Sequence, residues 1–287
     1  QGDTTTTFIA ALAAFYLKIP VAHVEAGLRT SDKYQPFPEE INRRLVSVVA
    51  DFHFAPTEKA RVNLLAEGIS DERIFVTGNT GIDALFDVTE KTHHFQDPIL
   101  EKIYHDPGHL ILVTAHRREN HGQPLIRISR ALKEIAMREP GIKILYPVHL
   151  NPNVQNTVRD IIRATKNIHL VDPMDYRSFC HFMKRAYIIL TDSGGIQEEG
   201  PALGKPVLIM REVTEREEAV EAGAAKLVGT KVERIVDETI NLLHNPGADQ
   251  RMAIKRLPFG DGKASQRIIS IVRRFWNLTE PEIPQNS

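Results

Sequence analysis

Three places in the sequence put a carboxylate at the end of an expected strand or at the start of a predicted helix, and carboxylates so placed can transfer protons. They are Asp3, Glu25 and the adjacent pair Glu39 and Glu40. General acid–base catalysis needs such a group with a pKa near the working pH, and partial burial raises a carboxylate pKa in that direction. The sequence therefore predicts proton-transfer chemistry that uses these side chains.

Each of these carboxylates also has an ordinary structural explanation. Asp3 can cap a helix predicted from Thr4 to Lys18, and the adjacent pair can offset the dipole of the next helix. For Glu25, burial would raise the pKa whereas neighbouring Arg29 would lower it. The sequence leaves the net shift open, and taken singly each carboxylate is more often structural than catalytic.

A glycine-rich turn offers the chemistry to bind an anion. Asp192-Ser193-Gly194-Gly195 follows a strand predicted at 188–191 and leads directly into a helix. Glycines let backbone N–H groups approach a phosphate closely, and a helix N-terminus carries partial positive charge. The turn predicts a diphosphate site, with Glu199 placed to accept hydrogen bonds from ribose hydroxyls. The alternatives are a tight turn without a ligand and simple compensation of the helix dipole.

Polar residues after other predicted strands could surround the same ligand. His116-Arg117-Arg118-Glu119 follows one strand, His149 follows another, and Arg211 and Arg216 follow a third. Arginine holds phosphate through a planar fork of N–H donors. For each arginine alone, a solvated surface position is the alternative.

Elements that end at one edge of a sheet are needed to bring these residues together. Short β-branched runs alternate with helical patterns, which predicts the α/β class with parallel sheets. The predicted strands lie near 21–24, 52–55, 74–77, 109–114, 142–146, 168–171, 188–191 and 206–210. Because open α/β sheets bind ligands at the carboxyl ends of their strands, a cleft between two such domains is the expected site.

A polar, proline-containing stretch from about Lys91 to Gly108 interrupts the pattern, and we predict a connection between domains there. The predicted domains are 1–95, the remainder of an N-terminal Rossmann-like domain, and 96–262, a C-terminal Rossmann-like domain. Residues 263–287 are predicted to form a helix that packs back on the first domain, followed by a tail.

Composition argues against several classes of function. The 36 basic and 37 acidic residues nearly cancel, so no global field attracts nucleic acid or an anionic membrane. The apolar stretches are too short to cross a bilayer. Cys180 is the only cysteine, which excludes an internal disulfide and favours the cytoplasm. The twelve histidines show no recognised metal-ligand spacing, so we expect neither a metal nor a cofactor.

Read together, several motifs occur in an order that is specific to one family. They are Gly2-Asp3-Thr4-Thr5-Thr6, residues 23–29, Pro38-Glu39-Glu40, residues 116–119, residues 147–153, residues 192–199 and Gly260-Asp261-Gly262. This set resembles the bacterial, non-hydrolysing UDP-N-acetylglucosamine 2-epimerases over nearly the whole chain. The resemblance implies two Rossmann-like domains in the GT-B arrangement, a homodimer, and no metal or nicotinamide. It also implies reversible conversion of UDP-N-acetylglucosamine to UDP-N-acetylmannosamine for surface polysaccharides, by elimination and re-addition of UDP.

The resemblance also implies roles for individual residues. The catalytic residues it implies are Asp3, Glu25, Glu39 and His116, with the acid and base roles unassigned. The substrate-binding residues it implies are Arg117, Phe179, Ser193, Gly194, Gly195, Glu199 and Arg216, of which Phe179 lies at the uracil pocket. His149 and Arg118 match an allosteric site for a second molecule of UDP-N-acetylglucosamine.

The family pattern begins with a strand and a phosphate-side loop that precede the first motif found here. On this pattern we expect an N-terminally truncated chain, an incomplete first domain and impaired activity. The alternative functions are a hydrolysing epimerase, a GT-B glycosyltransferase, or a nucleotide-sugar binding module without turnover.

Overall fold

A computed structural model describes residues 1–30, 32–163 and 165–276, apart from the side chain of Trp276. Its contacts divide the chain into two compact units, Gln1–Asp83 with Phe259–Ser287, and Ala84–Pro258. Both units are α/β with a parallel sheet, which confirms the predicted class. The predicted domain limits stay predictions, and the predicted tail beyond Trp276 lies outside the described residues.

The elements are numbered in chain order. The strands are β1 Ala22–Val24, β2 Phe52–Ala55, β3 Ile74–Val76, β4 Leu110–Thr114, β5 Lys143–Pro147, β6 Ile168–Val171, β7 Ile188–Thr191, β8 Val207–Ile209 and β9 Ala225–Leu227. The helices are α1 Thr5–Tyr16, α2 Glu39–Val49, α3 Glu58–Ala66, α4 Thr80–Glu90, α5 Pro98–His105, α6 Gln123–Arg138, α7 Pro152–Ile162, α8 Tyr176–Arg185, α9 Gly194–Ala202, α10 Glu217–Glu221, α11 Val232–His244, α12 Pro246–Met252 and α13 Ala264–Trp276.

The first unit contains a three-stranded parallel sheet in the order β1-β2-β3. Its last helix, α13, packs on this sheet, because Phe275 contacts Phe52 and Phe75 with ring centroids 4.5 Å and 5.8 Å apart. The start of α13 is fixed by Asp83, whose carboxylate accepts the backbone N–H groups of Ala264 and Ser265 at 3.0 Å and 2.7 Å. The C-terminal helix therefore belongs to the sheet near the beginning of the chain.

The second unit contains a six-stranded parallel sheet in the order β6-β5-β4-β7-β8-β9. All residues of β4 and β7 are buried, as expected for central strands covered by helices on both faces. The chain adds β5 and β6 on one side of β4 and continues from β7 on the other side. The strand order therefore reverses between β4 and β7, and a doubly wound sheet binds its ligand at the carboxyl ends beside such a point.

Two parts of the second unit differ from prediction. Helix α5 lies where we predicted only a polar connection, because Asp97 caps it by accepting the Ile99 N–H at 2.8 Å and Pro98 suits its first turn. Leu100 and Ile103 bury its apolar side. The edge strand β9 was not predicted, since it is only three residues long.

None of the helices in the described part of the chain combines the length and the apolar character that a membrane crossing needs.

Candidate active site

Two of the predicted catalytic carboxylates lie on segments that run side by side at the carboxyl end of β1. Gly2 donates its N–H to the carbonyl of Val24 at 3.1 Å, and its own carbonyl accepts a hydrogen bond from His23 Nε2 at 2.8 Å. A Cβ atom added to Gly2 would lie 3.6 Å from Glu25 Oε2. The segment that carries Asp3 therefore runs beside Glu25.

Glu25 has a φ of 68°, in the left-handed region that non-glycine residues rarely adopt. Such a conformation costs about 1–3 kcal/mol and persists only where the surroundings enforce it. The next turn is equally constrained, because Gly27 has a φ of 89° and an added Cβ would lie 2.2 Å from the Ala60 carbonyl oxygen. The strand end is thus built to hold the Glu25 side chain in one direction.

Asp3 does not cap the first helix, so the structural alternative for this residue is wrong. The cap is Thr4, whose Oγ1 accepts the Thr7 N–H at 3.2 Å. Asp3 instead pairs with Arg43, with 2.5 Å between Oδ2 and Nη2, and its carbonyl accepts from Asn42 Nδ2 at 3.0 Å. The Arg43 side chain is only 3% exposed, so Asp3 is the partner of a buried cation.

The adjacent residues Glu39 and Glu40 have different environments. Glu40 is fully buried, accepts the Thr30 N–H at 3.1 Å and pairs with Arg44 at 2.9 Å. Glu39 is half-buried, and its Oε2 is buried without a hydrogen bond to any described residue. Because positions i and i+4 share a helix face, Glu39 lies on the same side of α2 as Arg43. Glu40 is thus structural, whereas Glu39 is available for chemistry.

Neighbouring cations and histidines complete this region. Arg29, which we expected to act on Glu25, pairs with Glu67 at 2.6 Å and donates to Ser47 at 3.0 Å. Burial lowers the pKa of His23 and of His53 to about 4, so both imidazoles are neutral at pH 7. Neutral His23 therefore acts as a hydrogen-bond donor to Gly2 through Nε2.

In the second unit, the loops after β4 and β7 meet where the strand order reverses. Thr114 and Thr191 are register partners, and their hydroxyl oxygens are 2.7 Å apart. Asp192, which is fully buried, accepts the backbone N–H groups of His116 and Arg117, each at 2.9 Å. The predicted histidine and the predicted phosphate turn are therefore neighbours.

The His116 imidazole stacks on the His149 ring, with centroids 5.7 Å apart and planes 11° apart. Burial lowers the pKa of His116, Asp192 opposes this shift, and Arg117 adds to it. His116 is therefore mainly neutral at pH 7. His149 and Arg118, the predicted allosteric residues, are both exposed.

The predicted phosphate turn presents the first N–H groups of a helix. Helix α9 begins at Gly194, its N-cap Ser193 makes no side-chain capping bond, and the first N–H groups of a helix have no acceptor within it. A Cβ added to Gly195 would meet nothing within 4 Å, whereas one added to Gly194 would lie 3.1 Å from Arg216 Cζ. The turn is therefore open on the Gly195 side and supported by Arg216 on the other.

A buried ion network supports this turn. Glu215 pairs with Arg216 at 2.5 Å and with Arg211 at 3.0 Å, while Glu198 pairs with Arg216 at 2.9 Å. Burial by itself would raise the Glu215 pKa, but the two arginines lower it to about 2. Because carboxylates engage Arg216, its predicted substrate contact stays a prediction. Arg117 has a buried Nε without a hydrogen bond to any described residue, and this donor is available to an anion.

Glu199, the predicted ribose contact, accepts a hydrogen bond from the Tyr176 hydroxyl at 2.8 Å. Burial raises the pKa of Glu199 to about 7, so the carboxyl is half ionised near neutrality. Phe179 lies one turn along α8 from Tyr176 and is half-buried. Glu199, an acceptor for hydroxyl groups, and the aromatic ring of Phe179 thus lie in the same part of the second unit.

The sequence interpretation missed His23, Asn42, Arg43, Tyr176 and Asp192 as partners of the predicted residues. Helical spacing from Glu39 indicates Asn42 and Arg43, and Asp192 directly follows a fully apolar strand. Nothing in the sequence distinguishes His23 or Tyr176 from an ordinary half-buried residue. Among the described residues, no group of three or more histidine, cysteine, aspartate or glutamate side chains is arranged to hold a metal.

Comparison with known proteins identifies the family. A sequence model described as UDP-N-acetylglucosamine 2-epimerase matches residues 1–273. The chain belongs to this family. It is 52% identical over 278 residues to the UDP-N-acetylglucosamine 2-epimerase of Yersinia pestis, covering 95% of this chain and 74% of that protein. It is 51% identical over 280 residues to the Salmonella typhimurium enzyme, covering 96% and 74%.

A solved structure agrees with this assignment. The UDP-N-acetylglucosamine 2-epimerase of Neisseria meningitidis, bound to UDP-N-acetylglucosamine, superimposes with a TM-score of 0.90 at 47% identity. The match covers 95% of this chain and 75% of that one. The chain is thus an isomerase by family.

Proposed function

We propose that the chain interconverts UDP-N-acetylglucosamine and UDP-N-acetylmannosamine without net hydrolysis. A base removes the proton from carbon 2 while the bond from carbon 1 to the UDP oxygen breaks, which gives 2-acetamidoglucal and UDP. An acid then delivers a proton to the opposite face of carbon 2, and UDP adds back to carbon 1. Atoms balance, and no oxidant or reductant is needed.

The different environments of three carboxylates in the first unit, Asp3, Glu25 and Glu39, are the observation that carries this proposal. Inversion at carbon 2 needs proton transfer on both faces of the sugar, and hence at least two acid–base groups. Glu25 is held in a strained conformation, Asp3 pairs with buried Arg43, and Glu39 has a buried oxygen without a hydrogen bond to a described residue. These three environments differ, which suits groups that act as acid and as base at one pH.

The second unit supplies the chemistry for the departing UDP. The N-terminus of α9, Ser193, Gly194 and Gly195 provide backbone and hydroxyl donors for a diphosphate. His116 and Arg117 follow β4 beside this turn, and Glu199 and Phe179 suit the ribose and the uracil. Stabilising the charge on UDP lowers the barrier to breaking its bond to carbon 1.

Further parts of the proposal concern the cell and the assembly. We propose a cytoplasmic homodimer whose product supplies N-acetylmannosamine units for surface polysaccharides. Exposed His149 and Arg118 are proposed to bind a second, activating molecule of UDP-N-acetylglucosamine. The stack between His149 and His116 supports a connection between the two ligands.

Proton NMR in D2O tests the reaction. The full-length protein that carries this sequence is incubated with UDP-N-acetylglucosamine, and carbon 2 is followed in both sugars. The proposal predicts UDP-N-acetylmannosamine with deuterium at carbon 2. Free N-acetylmannosamine with UDP would indicate a hydrolysing epimerase instead, and an unchanged, undeuterated sugar nucleotide would favour a binding module.

A further inference from the structure

Asp192 carries a buried carboxylate whose two oxygens have different surroundings. Its Oδ2 accepts three N–H groups at 2.9 Å, from the backbones of His116 and Arg117 and from the side chain of Asn120. Its Oδ1 is buried and makes no hydrogen bond to a described residue. One oxygen thus fixes the loop after β4, and the other retains the capacity to accept a proton donor.

The group that faces this second oxygen is the His116 ring. His116 Nδ1 lies 3.6 Å from Asp192 Oδ1, slightly longer than a hydrogen bond. An imidazole that donates from Nδ1 leaves Nε2 at the opposite side of the ring for a ligand, and the partner of one nitrogen decides the state of the other. The geometry therefore links Asp192 to the atom that His116 can present to substrate.

The other charged and titratable groups that act on His116 oppose its protonation. They are Arg117 on the same loop, His121 after it, and His149 stacked on the ring from the end of β5. His149 accepts the Asn151 N–H at its Nδ1, which leaves its Nε2 as the donor when the ring is neutral. Asp192 is the anion among the described groups that favours a positive charge on His116.

We propose that Asp192 is a positioning residue for His116. Its Oδ1 accepts a hydrogen bond from Nδ1–H of His116 and thereby directs Nε2 towards the diphosphate. The inference rests on the proposed function, because the place of His116 beside the diphosphate is part of that function. When UDP binds, the anionic phosphate favours a proton on Nε2, and Asp192 stabilises the resulting imidazolium. The imidazolium then donates from Nε2 to the departing phosphate oxygen.

The wild-type protein provides a test that leaves Asp192 unchanged. Nitrogen-15 NMR of full-length protein, with the His116 signal assigned by comparison with His116→Gln, reports which ring nitrogen carries the proton. We expect protonated Nδ1 and unprotonated Nε2 without ligand, and protonation of both nitrogens after addition of UDP. A neutral ring with its proton on Nε2, or no proton uptake with UDP, overturns the inference.

Two variants separate positioning from simple structural support. Asp192→Asn keeps the shape but removes the charge, and we expect kcat to fall at least about tenfold and the His116 pKa to move further down. Asn120→Ala is the matched control, because Asn120 donates to Oδ2 of the same carboxylate and to the Met210 carbonyl, whereas Oδ1 is the oxygen that faces His116. Asn120→Ala should lower the melting temperature and leave the pKa of His116 unchanged. Equal effects of both variants on that pKa overturn the inference.

The outcomes also distinguish this inference from the proposed reaction. A wild-type protein that gives no deuterium at carbon 2 contradicts the reaction, whatever the state of His116. A wild-type protein that epimerises but shows the wrong His116 tautomer contradicts only the role of Asp192.

Discussion

The buried charged side chains of the two units differ in how completely they are hydrogen-bonded. In the second unit, buried Arg211 and Arg216 are balanced by Glu119, Glu198 and Glu215. In the first unit, buried Arg43 makes its short ion pair with Asp3 through Nη2, and Glu40 lies 3.6 Å from Nη1. Nε and Nη1 of Arg43 and one buried oxygen of Glu39 make no hydrogen bond to a described residue.

This contrast indicates a division of work. A buried network in which each arginine makes hydrogen bonds to two carboxylates is rigid and holds backbone donors in place, which suits the binding of a constant group such as UDP. Buried polar atoms without partners cost free energy, and they are tolerated where a ligand or a proton-transfer step uses them. We therefore expect substitutions of the proposed acid–base carboxylates in the first unit to affect turnover, and substitutions in the ion network of the second unit to affect stability and nucleotide binding.

The largest expected effect is on turnover. Glu25→Gln should lower kcat by roughly 10²–10⁴-fold, the range for loss of a general acid or base. The affinity for UDP should stay nearly unchanged, because the groups that we propose to bind UDP lie in the second unit. Steady-state kinetics and calorimetry with UDP give the two values. Glu67→Gln is the control, since it removes the ion pairs with Arg29 and Arg44 but no proposed acid–base group. A comparable loss of kcat in Glu67→Gln would show that the effect of Glu25→Gln is not specific to Glu25.

The next effect is on the stability of the second unit. The pKa of Glu215 falls from an ordinary 4.5 to about 2 on folding, so the ionised carboxylate contributes about 3 kcal/mol at about 1.4 kcal/mol per pKa unit. This contribution is present above the unfolded pKa and is lost as pH falls from about 4.5 through about 2. Glu215→Gln should lower the melting temperature at pH 7, and the difference from wild type should shrink in acid.

An exposed ion pair provides the control for that measurement. Glu58 pairs with Arg61 on the surface of α3, and surface pairs contribute little. Glu58→Gln should leave the melting temperature nearly unchanged at every pH. A loss similar to that of Glu215→Gln would show that burial is not the cause.

Adjacent Glu39 and Glu40 sharpen the comparison within one helix. Glu40→Gln should destabilise the protein by about 1–3 kcal/mol, because it weakens bonds to Thr30 and Arg44 in a fully buried place. The Glu39→Gln protein should keep the wild-type free energy of unfolding and lose kcat. Urea unfolding and kinetics of both variants check this, and the reverse pattern would exchange their roles.

The smallest expected effect is on the pH dependence of the affinity for UDP-N-acetylglucosamine. Because the pKa of Glu199 is raised to about 7, its ionised fraction rises from about a tenth at pH 6 to about nine-tenths at pH 8. The ionised form is the one that we propose accepts hydrogen bonds from the ribose hydroxyls. In the Glu25→Gln background, affinity for UDP-N-acetylglucosamine, whose diphosphate does not titrate there, should rise about tenfold. Glu199→Gln should abolish the rise, and its persistence in that variant would assign it to another group.

Local patterns predicted the strands well, because buried parallel strands are continuous apolar runs bounded by turns. Helix α5 was missed since its polar flanks, Asp97 and Pro98, were interpreted as a connection rather than as a helix start. Sequence order likewise identified the residues after β4 and β7 but not that these strands are neighbours.

For the predicted site residues too, the sequence did not show which side chains are neighbours in space. The sequence could not separate Thr4 from Asp3 as the cap, or Glu39 from Glu40, since adjacent polar residues differ only in the direction of their side chains. The ion pairs of Arg216 and the contact of Asp192 with His116 depend on residues distant in sequence, and no local pattern carries that information.

Cleavage of the bond between carbon 1 and UDP is the central chemical claim, and positional isotope exchange tests it most directly. UDP-N-acetylglucosamine with oxygen-18 in the bridge between carbon 1 and the β-phosphate is incubated with the full-length protein, and phosphorus-31 NMR follows the label. Elimination and re-addition predict that the label spreads from the bridge to the non-bridging β-phosphate oxygens as epimerisation proceeds. Epimerisation with the label retained entirely in the bridge would contradict the elimination of UDP.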